Sequence, residues 1–217
     1  MKAFIFDLDG TLLDTLADIG RACNAILAAH GHPTHALPAY RRMVGNGFSR
    51  LVRSALPPAV LRDLAPDALD ALVDEARRWY GQHMREHTRP YDGMPEALAE
   101  LARRGLTLAV LSNKPDDFTR ALVSHYFPQI PFADVRGGRP ETPLKPDPTA
   151  PGAMLSQLNL EAGQCFYVGD SDVDMLTARN AGMVSVGVAW GFRGPEEVRA
   201  AGARHLLSTP AQLPELI

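Results

Sequence analysis

Two carboxylates stand two residues apart in Asp7-Leu8-Asp9-Gly10-Thr11, directly after the apolar run Ala3-Phe4-Ile5-Phe6. Alternate side chains of a strand point the same way, so Asp7 and Asp9 are expected to face one crevice where that strand ends. Two like charges held this close repel and favour a bound proton or cation. A hard divalent ion with oxygen ligands would relieve them, and Gly10 would let the backbone approach an anion closely. Aspartate also favours turns, so the pair alone reads equally as a charged turn.

Three later segments repeat the arrangement. The apolar run Leu106–Leu111 ends in Ser112-Asn113-Lys114-Pro115, a hydroxyl and backbone N–H groups just before an expected helix. That combination makes an anion site, although Ser and Asn are also plain helix caps. The run Cys165–Val168 ends in Gly169-Asp170-Ser171-Asp172-Val173-Asp174. Asp170, nearest the strand end, is the candidate metal ligand. Asp174, one helical turn on, could hold a water ligand or a lysine, and Asp172 suits the positive end of a helix dipole. Lys145 lies in Pro143-Leu144-Lys145-Pro146-Asp147-Pro148. Loop lysines are ordinarily solvated, but prolines on both sides stiffen this backbone, as if the ammonium had to meet a fixed charge.

The elements that must carry these groups follow from periodicity. A buried strand is predicted over Ala3–Leu8. A helix capped by Asp14 and Thr15 should then run to Gly31, with Leu16, Ile19, Cys23, Ile26 and Leu27 at helical spacing. No strand of similar quality occurs before about Arg89, and a longer helix is predicted from near Pro66. After Tyr91, helices and apolar strands alternate: helix Pro95–Gly105, strand Leu106–Leu111, helix Pro115–Tyr126, a Gly- and Pro-rich loop Pro128–Pro148, helix Thr149–Leu158, strand Cys165–Val168, helix Asp172–Ala181 and strand Val184–Ala189. Leu206–Ile217 reads as a closing strand and loop. The alternation predicts an α/β fold with a parallel sheet covered on both faces, and an all-helical insert after its first strand.

Composition narrows the class. The 217 residues are 46% hydrophobic and 22% charged, with a net charge of -3, which suits a globular domain with a sizeable core. No basic face or tail points to nucleic acid. No stretch approaches the ~20 apolar residues of a membrane span, and no signal peptide is apparent, so the expected address is the cytoplasm. Cys23 and Cys165 belong to no paired motif and read as buried small hydrophobes. His30, His32 and His35 have irregular loop spacing and read as a surface turn. Trp79 and Tyr80 are expected to pack against neighbouring helices.

Taken together, the motifs resemble the haloacid dehalogenase superfamily: D-x-D-G-T-L-x-D at Asp7–Asp14, then Ser112, Lys145, and G-D-S-x-x-D at Gly169–Asp174. The resemblance spans nearly the whole chain. It implies a Rossmann-like three-layer core with a parallel sheet (residues 1–14 and 91–217) and an inserted small helical cap domain (15–90), hinged near residues 14–16 and 89–92. It implies Asp7 as a nucleophile that becomes a phosphoaspartate, Asp9 as general acid and base, and Ser112 and Lys145 as catalytic partners of the phosphoryl group. Mg²⁺ would be held by Asp7, the backbone carbonyl of Asp9 and Asp170, with Asp174 in support. Gly10, Thr11, Ser112, Asn113 and Lys145 would bind phosphate.

Dehalogenating members lack an acid at the position of Asp9, because halide leaves without a proton, so Asp9 implies a phosphatase or phosphomutase. Phosphonate-cleaving relatives use a cap lysine, and this chain has no lysine between Asp14 and Arg89. Arg42–Gly47, Ser112–Pro115, Lys145–Pro148 and Val186–Gly191 are similar to bacterial phosphoglycolate phosphatases. That implies 2-phosphoglycolate as substrate, a small phosphorylated metabolite, with sugar-phosphate phosphatase, pyrophosphatase and phosphomutase as alternatives. In the cap, Gly45, Asn46 and Gly47 could expose N–H groups to a carboxylate as a nest does, or form a simple helix–helix turn. Arg41, Arg42 and Arg50 are candidates for a carboxylate fork. Arg136–Thr142, with its glycines and two arginines near Lys145, either contacts substrate or is merely mobile.

Overall fold

A computed structural model describes residues 1–217. Its centre is β1 (Ala3–Phe6), four apolar residues all buried, as a strand covered on both faces requires. Parallel neighbours flank it: β4 (Thr107–Pro115) on one side and β6 (Cys165–Gly169) on the other, with Ala3 in register with both Thr107 and Cys165. β5 (Phe132–Gly138) continues the sheet beyond β4, and β7 (Val184–Val188) and β8 (His205–Leu207) continue it beyond β6, giving the parallel order β5-β4-β1-β6-β7-β8. Helices α5 (Met94–Arg103), α6 (Asp116–Tyr126), α7 (Thr149–Gln157), α8 (Asp172–Asn180) and α9 (Pro195–Ala200) alternate with these strands. The α/β, Rossmann-like reading of the sequence therefore holds.

Between β1 and α5 the chain is helical, apart from a short ribbon. Helices α1 (Leu16–Ala29), α2 (Phe48–Ala55), α3 (Pro58–Asp63) and α4 (Pro66–His83) lie there. The ribbon pairs β2 (Leu13–Asp14) with β3 (Arg89–Pro90), so the outgoing and returning chains run antiparallel side by side. One apolar cluster joins Ile19, Leu51 and Tyr80 of the helices to Phe118 and Leu122 under the sheet. Near the ribbon, buried Asp18 accepts hydrogen bonds from the backbone N–H groups of His87 and Thr88, pinning α1 to the returning chain.

The structure departs from the sequence reading at several points. The expected loop Pro128–Pro148 contains β5. Asp134, Arg136 and two glycines hide its alternation, and as an edge strand it is only half buried. β4 runs past Leu111 to Pro115, because irregular pairing with β5 continues to Pro115–Gly138. α3 was not anticipated. Thr15 precedes α1 but makes no side-chain cap; its hydroxyl donates to Asp9 instead.

Both cysteines are buried. Burial pushes the Cys23 thiol up to about 12, and burial raises that of Cys165 as well. Only the thiolate attacks disulfide reagents. Ellman's reagent at mildly alkaline pH should therefore titrate neither thiol in the native protein and both in denaturant. Fast native reaction of either would contradict this packing.

Candidate active site

The order of the sheet fixes where a ligand can sit. The chain leaves β1 toward β4 on one side and leaves β6 toward β7 on the other. Adjacent strands whose connections diverge open a crevice at their carboxyl ends. The aspartates following β1 and β6 border that crevice. Asp7, Asp170 and Asp174 are all buried, and each offers an oxygen within 4.8 Å of the others. Burial, then the charges of Asp174 and Asp7, holds the Asp170 carboxyl well above the usual carboxylate range. Burial also raises Asp174, against the opposing pull of Lys145.

Glycines make room for these acids. A methyl group at Gly10 or Gly191 would overlap Asp170, and one at Gly169 would overlap Asp174. Gly10 also has φ +84°, a conformation that favours glycine. Asp170 accepts a 2.6 Å bond from the N–H of Phe192, in the loop after β7. Asp174 forms a capping box with Ser171 at the start of α8, which fixes its carboxylate at the crevice wall. Asp172, next to it, is exposed on the first turn of the helix.

Lys145 enters from the Pro-rich loop and is buried. Its ammonium lies 2.8 Å from Asp174 Oδ1 and 2.9 Å from Asp7 Oδ1, and donates to the hydroxyl of Tyr167 at 2.9 Å. Tyr167 in turn donates to the carbonyl of Leu111. Burial alone would lower the lysine; the charges of Asp174 and Asp7 outweigh it and hold the ammonium well above its ordinary range. Asn113 clamps the backbone on both sides, accepting from the Lys145 N–H at 2.8 Å and donating to its carbonyl at 3.0 Å.

Asp9 is held on the other side of the crevice. It accepts from Thr15 Oγ1 at 2.7 Å and pairs through both oxygens with Lys114, at 3.0 and 3.1 Å. The Lys114 ammonium also sits 4.5 Å from the centroid of the Tyr80 ring, close enough for a cation–π attraction. The sequence alone points to none of Lys114, Thr15 and Tyr167 for this site, and it predicts only packing for Tyr80. The available signal for Lys114 was its spacing from Ser112, two residues apart at a strand end, the same pattern that singled out Asp7 and Asp9.

Ser112 is buried in β4 and lines a small space together with Asp7, Asp9, Asn113 and Lys114. Ile19, Val44, Gly45, Gly47, Phe48 and Leu51 close it from the helical side. Thr11 is fully buried, and its hydroxyl has no hydrogen-bond partner. The Asn113 side chain is committed to Lys145 and to the carbonyl of Gly45, at 3.0 Å. Arg193 donates to the carbonyls of Arg42 and Val44, a second tie between the two sides. Trp190 donates to the carbonyl of Thr11.

Other candidates lie apart. Arg41, Arg42 and Arg50 are exposed, and none lines the space beside Asp7. His30 bonds Glu75 while His35 bonds the carbonyl of Ala55, so the histidines do not converge. Arg136 and Arg139 are paired with Asp134 and Asp116 respectively.

The acid cluster fits a hard divalent cation on its own geometry. Asp7 Oδ1 is buried and lacks a hydrogen-bond partner, because the nearby ammonium lies off a bonding direction. A buried carboxylate oxygen without a hydrogen bond, beside two further carboxylates, is an all-oxygen donor set of the kind Mg²⁺ takes.

Comparison with known proteins gives the family. The family model described as haloacid dehalogenase-like hydrolase matches residues 4–188. A phosphoglycolate phosphatase of Vibrio parahaemolyticus serotype O3:K6 is 31% identical over 219 residues, covering 100% of this chain and 96% of its own. That of Vibrio cholerae serotype O1 is 34% identical over 205 residues, covering 93% and 90%. The crystal structure of a predicted phosphoglycolate phosphatase from Haemophilus somnus 129PT superposes with a TM-score of 0.92 at 25% identity, covering 100% and 97%. No helix is long and apolar enough to cross a membrane. With the acid cluster, the paired lysines and the matched family spanning most of its length, the chain belongs to the haloacid dehalogenase-like hydrolases and is a phosphatase, a hydrolase of phosphoric monoesters.

Proposed function

We propose that the protein hydrolyses 2-phosphoglycolate to glycolate, with Mg²⁺ and through a phosphoaspartate on Asp7. The observation that carries the reading is one crevice holding Asp7, Asp170, Asp174 and Lys145 on one side and Asp9 on the other. The chain's relatives are named for that substrate, and the space beside Asp7 is small.

Phosphoryl transfer asks mainly for positioning and for charge stabilisation. Asp7 attacks phosphorus, and its carboxylate forms an acyl phosphate as the ester oxygen departs. Asp9, oriented by Thr15 and Lys114, gives that oxygen a proton and then takes one from the water that hydrolyses the acyl phosphate. Lys145 offsets charge on Asp7 and on the phosphoryl oxygens, with Ser112, Thr11 and the backbone near Gly10 and Asn113 available to bind them. Asp7, the Asp9 carbonyl and Asp170, supported by Asp174, would hold Mg²⁺, which when bound neutralises the phosphate dianion and the acid cluster. Residues 15–90 act as a cap, hinged at the β2–β3 ribbon, that excludes water when closed. Asn113 and Arg193 grip the carbonyls of residues 42, 44 and 45 in that closed form.

The test is phosphate release with Mg²⁺ from 2-phosphoglycolate, hexose phosphates and pyrophosphate. The expected result is a clear preference in kcat/KM for 2-phosphoglycolate. Preference for a hexose phosphate or pyrophosphate, or return of the phosphoryl group to sugar, would replace this substrate.

A further inference from the structure

We propose that Lys114 is the specificity-determining residue of the site, its ammonium receiving a carboxylate on the leaving-group side of the ester. The inference rests on the reading of the protein as a phosphatase for a small carboxylate-bearing monoester. It assigns the carboxylate contact to the core rather than to an arginine of the cap.

The ammonium of Lys114 has three hydrogens, and only the two oxygens of Asp9 accept from it. Its side chain is 2% exposed, so the remaining hydrogen finds neither a protein acceptor nor bulk water. A buried polar group left unmet is costly, and this one borders the space between core and cap. The face of Tyr80 attracts the ammonium but carries no countercharge, so a carboxylate would meet it better. The site thus has two incompletely satisfied polar points flanking Asp9: Asp7 Oδ1, which has the Lys145 ammonium at 2.9 Å but no hydrogen bond, and the third hydrogen of Lys114, a donor facing the space between core and cap.

The surroundings select the ligand's chemistry. The cap walls near Lys114 are apolar, formed by Ile19, Val44, Phe48 and Leu51. The backbone N–H groups of Gly45, Asn46 and Gly47 have no acceptor within the protein, and Gly45 and Gly47 line the same space. One cation and a few amide donors among apolar walls match a single compact anion. A neutral polyol would leave the ammonium unmet and place hydroxyls against carbon. A second phosphate would bring two charges to one already shared cation. The exposed arginines 41, 42 and 50 do not reach this space.

The experiment compares kcat/KM for 2-phosphoglycolate and for 2-hydroxyethyl phosphate, in which a hydroxymethyl group replaces the carboxylate. Wild type should favour the acid by about 100-fold, since a site built around a substrate's charged group discriminates strongly against its absence. In Lys114→Met that ratio should collapse by roughly 30-fold or more, whatever happens to turnover as a whole. In Arg50→Ala it should stay at the wild-type value. Should Lys114→Met not fold by circular dichroism, Lys114→Gln, which keeps a donor but no charge, is read in the same assay. A wild type that prefers the acid with a folded Lys114 variant that keeps the preference overturns the inference and leaves the substrate reading intact. A wild type with no preference for the acid overturns both.

Discussion

Asp7→Asn should turn over 2-phosphoglycolate at least ~10⁴-fold more slowly than wild type and should trap no phosphoenzyme, while remaining folded. The amide keeps the shape of the carboxylate and removes its nucleophilic oxygen. Loss of a covalent nucleophile is among the largest effects a single residue can produce. Folding should survive, because two opposing changes nearly balance. Lys145 loses an ion contact at 2.9 Å but keeps the one to Asp174 at 2.8 Å. Asp170 and Asp174, whose carboxyls are both raised in part by the charge of Asp7, are relieved of a like neighbour. Mg²⁺ should raise the melting temperature of wild type by mass action and that of the variant much less. The measurements are phosphate release, acid-quenched labelling with radioactive phosphate, and thermal melting with and without Mg²⁺. Activity above about a hundredth of wild type would remove Asp7 from the nucleophile's role.

The sequence made the core legible where physics leaves few choices. Ala3–Phe6 is apolar without interruption because β1 is buried on both faces, and the acids follow it directly because strand ends border the crevice. The cluster of Asp7, Asp170 and Asp174 could be anticipated from three acids at two strand ends. Lys145 could be anticipated from the prolines that stiffen its loop. The remaining features have weaker or shared signals in the sequence. Phe132–Gly138 is an edge strand whose charged residues and glycines break its alternation.

Tyr167 sits inside an apolar run, where it reads as core. Its hydroxyl nevertheless needed a partner once buried, and that partner is the ammonium of Lys145. Thr15 resembles a helix cap in every local respect, and only the fold brings its hydroxyl to Asp9. Lys114 lay hidden in Ser112-Asn113-Lys114-Pro115, a stretch read for its hydroxyl and its N–H groups. Arg41, Arg42 and Arg50 suit a carboxylate by residue type, yet they are exposed, and Lys114 is the buried cation beside this space.

Lys145→Ala should lose on the order of 10³-fold in turnover, comparable to deleting a preorganised donor at a developing charge, and should also be less stable by about 3–5 kcal/mol at neutral pH without Mg²⁺. The stability loss follows from what the ammonium now balances. It stands among Asp7, Asp174 and the hydroxyl of Tyr167, with no bulk water to replace it. The attraction to Asp174 and Asp7 outweighs the burial that would expel its proton, so the ammonium stays charged in the folded protein. Removing it leaves three carboxylates within 4.8 Å of one another and no cation among them. For a chain of this length that corresponds to a melting temperature lower by roughly 10 °C. Mg²⁺ should restore much of that stability by neutralising the same carboxylates, and should restore little of the turnover, because the phosphoryl oxygens still lack their second cation. The two responses separate a catalytic role from a merely structural one. If Mg²⁺ returned both stability and activity to wild-type levels, Lys145 would be a counter-charge for the acid cluster with no part in phosphoryl transfer. If the metal-free variant melted like wild type, the ion contacts that define this side of the crevice would be wrong.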